Sequence, residues 1–162
     1  MNLNEAKAIA EKIKKQLEPH CHRIEIAGSI RRRAQQVKDI EIVAIPKPYD
    51  TGLFESGIAT IINQWESIKG QLPCRYTQRK LPEGINLDIF FATQRNWGLI
   101  FAIRTGSAEY SHKVLACAWV QKGYNSEKGM LKHNGKEINI LEEKDLYERL
   151  NLPYLEPWER NI

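Results

Sequence analysis

Asp39-Ile40-Glu41-Ile42 places two acids two residues apart, at i and i+2. On a strand, residues two apart share a face with their Cα atoms about 6.5–7 Å apart. That spacing lets two carboxylates grip one divalent cation from the same side, while Ile40 and Ile42 point the other way into a core. A third acid, Asp88, sits within Leu87-Asp88-Ile89-Phe90-Phe91. There an unpaired charge among large apolar neighbours is costly. Three carboxylates on adjacent strands would make an oxygen-rich site of the kind hard cations such as Mg²⁺ take, with phosphates completing the octahedron. The same residues admit a second reading, in which Asp39 and Glu41 line a solvated strand face and Asp88 pairs with an arginine.

Upstream lies Gly28-Ser29-Ile30-Arg31-Arg32-Arg33. Glycine lets backbone approach a ligand closely, and exposed N–H groups in a turn hold anions. The Ser29 hydroxyl and an arginine fork add donors suited to phosphate. An ordinary turn with a solvated basic cluster has the same composition. The two features explain each other when taken together: a cation held by the acids would bridge to phosphates held by the turn.

These residues need strands to carry them. Asn4 to Leu17 has apolar residues at three- and four-residue spacing, which predicts a helix capped by Asn4 and stopped by Pro19. Strands are expected at Arg23–Ala27, Asp39–Ile45 and Leu87–Phe91. A helix is expected over Thr51–Trp65, with Leu53, Phe54, Ile58, Ile61, Ile62 and Trp65 buried. Asn96–Arg104 is apolar and reads as a helix or a buried segment. Ala108–Lys122 predicts a helix ended by Gly123. Asn134-Gly135 signals a hairpin within 124–140, and Glu142–Leu150 a short helix. Trp65, Trp97 and Trp119 are expected in cores, and Trp158 against the C-terminus. His20-Cys21-His22 lacks a second ligand pair at zinc spacing, so solvated or capping histidines are the more usual reading.

The 162 residues allow one compact domain or two small lobes, with the break near Thr105-Gly106-Ser107 the best boundary. No apolar run reaches the ~18 residues a bilayer span needs, and a polar N-terminus without an apolar h-region argues against secretion. Three scattered cysteines fit reduced thiols better than a disulfide framework. These features together lead us to expect a cytoplasmic protein with no membrane partner. With 24 Lys and Arg against 20 Asp and Glu, the net charge of +4 permits a nucleic-acid partner without requiring one.

Gly28-Ser29-Ile30-Arg31-Arg32 followed by Asp39-Ile40-Glu41 resembles the signature of the nucleotidyltransferase superfamily. More closely, it resembles the palm of the DNA polymerase X family, the polymerase beta-like group. Leu87-Asp88-Ile89-Phe90 resembles the strand of that family's third acid, and Thr105-Gly106-Ser107 with Glu109-Tyr110 its Thr-Gly-Ser turn. Glu143-Lys144-Asp145 and Leu152–Arg160 resemble its C-terminal end. The resemblance implies an α+β fold: a palm with a mixed sheet and flanking helices over residues 1–107, and a small thumb-like α+β lobe over 108–162 covering the nascent base pair.

It also implies roles. Asp39, Glu41 and Asp88 would be the catalytic acids, holding two Mg²⁺ ions (Mn²⁺ being the alternative), with Asp88 helping to deprotonate a primer 3′-hydroxyl. Gly28, Ser29 and Arg32 would hold the nucleotide's phosphates, and Thr105, Gly106 and Ser107 would lie under its sugar and base. The implied activity is gap-filling addition of a deoxynucleotide to a DNA 3′-end, with pyrophosphate released. The implied partners are DNA with a primer end and a nucleoside triphosphate. The chain would be a monomer, with a protein partner able to supply further grip on DNA. Scattered lysines, Lys113 to Lys136, would meet a DNA backbone or simply line the surface.

Departures from the pattern leave alternatives open. Glu41 stands where polymerase beta-like members have aspartate, and Lys38 where they have glycine. Ile103-Arg104 replaces a Tyr-Phe pair that screens the sugar, and Ser111 falls near a base-reading asparagine. The chain carries no counterpart of the family's lyase lobe or helix-hairpin-helix clamps, so lyase activity is not expected. Untemplated transfer to RNA, protein or a small molecule is the alternative reaction, and a nucleotide-binding module without catalysis the non-enzymatic one.

Overall fold

A computed structural model of the chain describes residues 1–47 and 57–162. The first six residues of the helix expected over Thr51–Trp65, including Leu53 and Phe54, lie outside them; within the described part the helix is α3 (Gly57–Ile62), and Trp65 falls beyond it. The chain divides into two units, Met1–Phe91 and Ala92–Ile162.

In the first unit, α1 (Leu3–Leu17) buries Ala6, Ala10, Ile13 and Leu17 along one stripe. Its cap is Asn2 rather than Asn4: the Asn2 Oδ1 accepts from the Glu5 N–H at 2.9 Å. A 3₁₀ turn at Glu18–His20, opened by Pro19, leads into β1 (Cys21–Ile26). The short helix α2 (Gly28–Arg31) separates it from β2 (Asp39–Pro46). After α3 come β3 (Glu66–Lys69), β4 (Tyr76–Lys80) and β5 (Asn86–Phe91). The sheet order is β1-β2-β5-β4-β3, parallel between β2 and β5 and antiparallel elsewhere.

The core side of this sheet sets the register. Ile40, Ile42, Leu87 and Ile89 pack with Ile24 and the α1 stripe, at 4% exposure or less. Each large aliphatic side chain buried in this way stabilises by roughly 1.5–3 kcal/mol. A slip of one residue would turn the isoleucines out and the acids in. The apolar pattern thus fixes the face on which Asp39, Glu41 and Asp88 stand.

Strands β3 and β4 fall in a stretch the sequence pattern reads only as polar. The core-facing residues of β4 are Thr77 and Arg79, 0% and 4% exposed. Their polar groups are satisfied locally: Arg79 donates to the Thr77 hydroxyl and to the carbonyls of Trp65 and Gly70, and Thr77 to those of Lys69 and Gly70. Hydrogen bonding thus admits to the core two residues that hydrophobic alternation excludes.

The second unit opens with α4 (Trp97–Thr105). A continuous helical run follows: α5 (Ala108–Tyr110), a π-helical segment Ser111–Ala116, and α6 (Cys117–Gln121). Strands β6 (Tyr124–Glu127), β7 (Met130–His133) and β8 (Lys136–Ile138) form an antiparallel meander. Its second turn is the expected Asn134-Gly135, both at positive φ. Helix α7 (Glu143–Arg149) and the C-terminal tail complete the unit. The boundary expected at 107/108 thus differs from the division after Phe91. The cause is α4, which packs on α7. Gly98 lies so close to the Glu142 backbone that a Cβ would collide, and its N–H donates to the Ile140 carbonyl at 2.9 Å.

Candidate active site

Parallel pairing sets Glu41 opposite Asp88 and Asp39 opposite Asn86. Adjacent strands lie about 4.8 Å apart and register partners share a face. The three acids therefore stand on one side of the sheet, Glu41 beside Asp88 and Asp39 diagonal to it. Asp88 is 7% exposed, and Asp39 and Glu41 are half-buried. Burial pushes the Asp39 carboxyl above its ordinary value; the charge of Asp88 adds to the shift and Lys38 opposes it. Asp88 is met by a tyrosine instead of the arginine considered above: the Tyr76 hydroxyl donates to its Oδ1 at 2.7 Å.

Glu41 turns toward the glycine-serine segment. Its carboxylate lies against Gly28, where a Cβ would collide with Oε2, and Gly28 adopts φ +59°. Only glycine tolerates both the conformation and the approach. The Ala27 N–H donates to the Glu41 carbonyl at 2.8 Å, tying the segment to β2. Burial lowers the pKa of Arg32, and the Glu41 charge opposes that shift. Ser29, half-buried, stands next in α2. Gly28, Ser29, Arg32, Asp39, Glu41 and Asp88 thus occupy one region of the first unit.

Among the described residues, no group of three or more His, Cys, Asp or Glu side chains forms a ready metal centre. Asp39 and Asp88 interact with each other, while Glu41 is engaged at Gly28. The donor chemistry fits a hard divalent cation all the same. Asp39 and Asp88 supply carboxylate oxygens, and their mutual repulsion is a charge imbalance that such a cation relieves. His20-Cys21-His22 does not fit: Cys21 is buried with its thiol pushed up to about 11, and Gly57 lies against the His20 ring.

Thr105, Gly106 and Ser107 belong to the second unit and shape its backbone. Thr105 is 0% exposed. The Ser107 hydroxyl accepts from the Tyr110 N–H at 3.1 Å, capping the helical run. A Cβ on Gly106 would meet the Tyr110 ring at 2.6 Å and the Ser111 hydroxyl at 3.0 Å. Ser111 donates to the Ile103 carbonyl at 2.7 Å. The C-terminal tail reaches this turn, with the Ser107 N–H donating to the Arg160 carbonyl at 3.1 Å. The Arg160 guanidinium pairs with Glu143 and lies 5.2 and 5.1 Å from the ring centres of Tyr147 and Tyr154. Trp97 and Trp119 are core residues, while Trp158 is 42% exposed. The residue the sequence reading missed is Tyr76; its signal, alternation across Tyr76–Lys80, was hidden by the polar inner face of β4.

Residues 101–161 match the family described as DNA polymerase beta thumb. Among solved structures, the chain is similar to polymerase beta from Leishmania infantum, solved as a ternary P/T complex. The TM-score is 0.75 at 17% identity, over 100% of this chain and 77% of that one. No curated protein matches. The fold is therefore the polymerase beta-like α+β fold, with a mixed sheet and flanking helices. Residues 101–161 thus carry the match to a polymerase beta thumb, within a chain whose fold is similar to that of polymerase beta throughout.

Proposed function

We propose that this chain is a metal-dependent nucleotidyltransferase, a small X-family-like DNA polymerase adding a deoxynucleotide to a primer 3′-hydroxyl. The observation that carries the reading is the β2–β5 register, which puts Glu41 beside Asp88 and Asp39 on the same face, next to Gly28, Ser29 and Arg32. The relative from Leishmania was solved as a ternary P/T complex, which supports primer-template DNA as the partner.

Asp39, Glu41 and Asp88 would hold Mg²⁺ or Mn²⁺, which supplies neutralisation of phosphate charge and of the two oxygens exchanged at phosphorus. Arg32 and the Gly28-Ser29 backbone bind the triphosphate tail and hold it in line. The primer 3′-oxygen attacks the α-phosphorus, the hydroxyl proton passes to Asp88, and the bond to the bridging β-oxygen breaks to release pyrophosphate. Phosphoryl transfer asks a protein mainly for positioning and charge stabilisation, and this set supplies both.

Primer extension on gapped DNA with Mn²⁺ or Mg²⁺, using deoxy- and ribonucleotides in parallel, tests the reading. Template-directed extension by the wild type and its loss in Asp88→Asn are expected. Equal inertness of the two proteins on every substrate would remove the polymerase reading, and incorporation indifferent to template would replace it with untemplated transfer.

A further inference from the structure

Antiparallel pairing of β4 with β5 sets Tyr76 opposite Phe90 and Gln78 opposite Asp88. The Tyr76 ring stacks on Phe90 with centroids 4.8 Å apart and planes 28° from parallel. From that seat the hydroxyl reaches diagonally to Asp88 Oδ1 at 2.7 Å. The separation is near that of a charge-assisted O–H···O⁻ bond. A purely structural solution for a buried aspartate is a cationic partner, which cancels its charge. A phenol leaves the negative charge in place and fixes the plane of the carboxylate.

We propose that Tyr76 is a positioning residue for Asp88: its stacked ring holds the hydroxyl on Oδ1, so that the carboxylate presents a fixed lone-pair direction to a divalent cation. The inference rests on the reading of Asp88 as a cation ligand. Tyr76 acts one step removed from the metal, the position from which a hydrogen-bond partner orients a ligand. Loss of such partners costs roughly 10–100-fold in metal affinity or activity.

The test is calorimetric titration of the full chain with Mn²⁺, with and without a nucleoside triphosphate, for wild type, Tyr76→Phe and Asp88→Asn. Tyr76→Phe keeps the ring and its stack but takes a donor from a buried carboxylate, so a retained fold with a melting temperature about 2–4 °C lower is expected alongside Mn²⁺ affinity weakened about tenfold or more. In primer extension the same variant should lower kcat with little change in nucleotide KM. Mn²⁺ affinity equal to wild type in Tyr76→Phe, with affinity lost in Asp88→Asn, would overturn the role of Tyr76 alone. Wild-type affinity in Asp88→Asn would overturn the ligand reading, and the role of Tyr76 with it. If Tyr76→Phe fails to fold, Phe90→Leu frees the ring but keeps the hydroxyl. A several-fold weaker Mn²⁺ affinity then supports the proposal, and wild-type affinity overturns it.

Discussion

Gly28 and Glu41 are in contact across the end of β1 and the start of β2, so closely that no side chain fits between them. Gly28→Ala therefore meets two separate obstacles, the φ of +59° and the collision with the Glu41 carboxylate. Each is of the order of 1 kcal/mol or more. The variant should unfold at lower denaturant concentration than wild type. In a double-mutant cycle with Glu41→Ala, the collision part should be recovered and the backbone part should remain. Full additivity would show that the contact does not constrain the turn.

Asp39 is a liability to the fold without a cation. Its carboxyl is shifted up, chiefly by burial and then by Asp88. A raised acid supports the native state fully below the ordinary carboxylate value, and that support is lost as pH rises through the native value. Asp39→Asn removes the charge. In EDTA at neutral pH it should melt about 1–3 °C higher than wild type, with the gain shrinking toward pH 4. The same variant should lose primer extension. Added Mn²⁺ should raise the melting temperature of wild type and leave the variant unmoved.

The acid face was legible in the sequence because Ile40, Ile42, Leu87 and Ile89 alternate with the acids, and alternation reports a half-buried strand directly. Gly28 was legible for a related reason: glycine before a serine and a basic run marks a place where backbone geometry is special. The pairing of Glu41 with Asp88 was not legible, since register between distant strands is written in the packing of both. Tyr76 was invisible because β4 buries Thr77 and Arg79 through hydrogen bonds, not through hydrophobicity. The assignment of α4 to the second unit was hidden too: Asn96–Arg104 is apolar nearly throughout, and which core it joins is shown by its packing, with Leu99 and Ala102 in the second unit's core and Gly98 against Glu142.

Arg160 and Glu143 hold the C-terminal tail. Arg160 is 0% exposed and Glu143 7%. Removing one partner of such a pair strands the other's charge, at a cost of about 3–5 kcal/mol. Arg160→Ala should therefore destabilise the chain strongly, while Arg160→Met with Glu143→Leu, which leaves no charge behind, should cost much less. Because the Ser107 N–H bonds to the Arg160 carbonyl, amide exchange at Ser107 should accelerate in the single variant. Protection at Ser107 equal to wild type would show that the tail does not brace the turn.

The three cysteines differ sharply in setting: Cys21 is buried, Cys74 intermediate and Cys117 exposed. Burial is the main cause that carries the Cys21 thiol from 9.0 to about 11, with Lys47 opposing and Glu18 adding to the shift. The thiolate is the reactive form, so at pH 8 an alkylating reagent should label Cys117 readily and leave Cys21 unmodified until the protein unfolds. The linkage has a definite sign. Between the unfolded value of 9.0 and the native value of about 11, the unfolded chain holds less of this proton than the native one, so stability falls as pH rises through that window. Cys21→Ala should remove this component of the alkaline loss while lowering stability at pH 7 through the packing it gives up. Parallel unfolding curves at pH 7 and pH 10.5 measure both effects, and an equal alkaline loss in the two proteins would place its cause elsewhere.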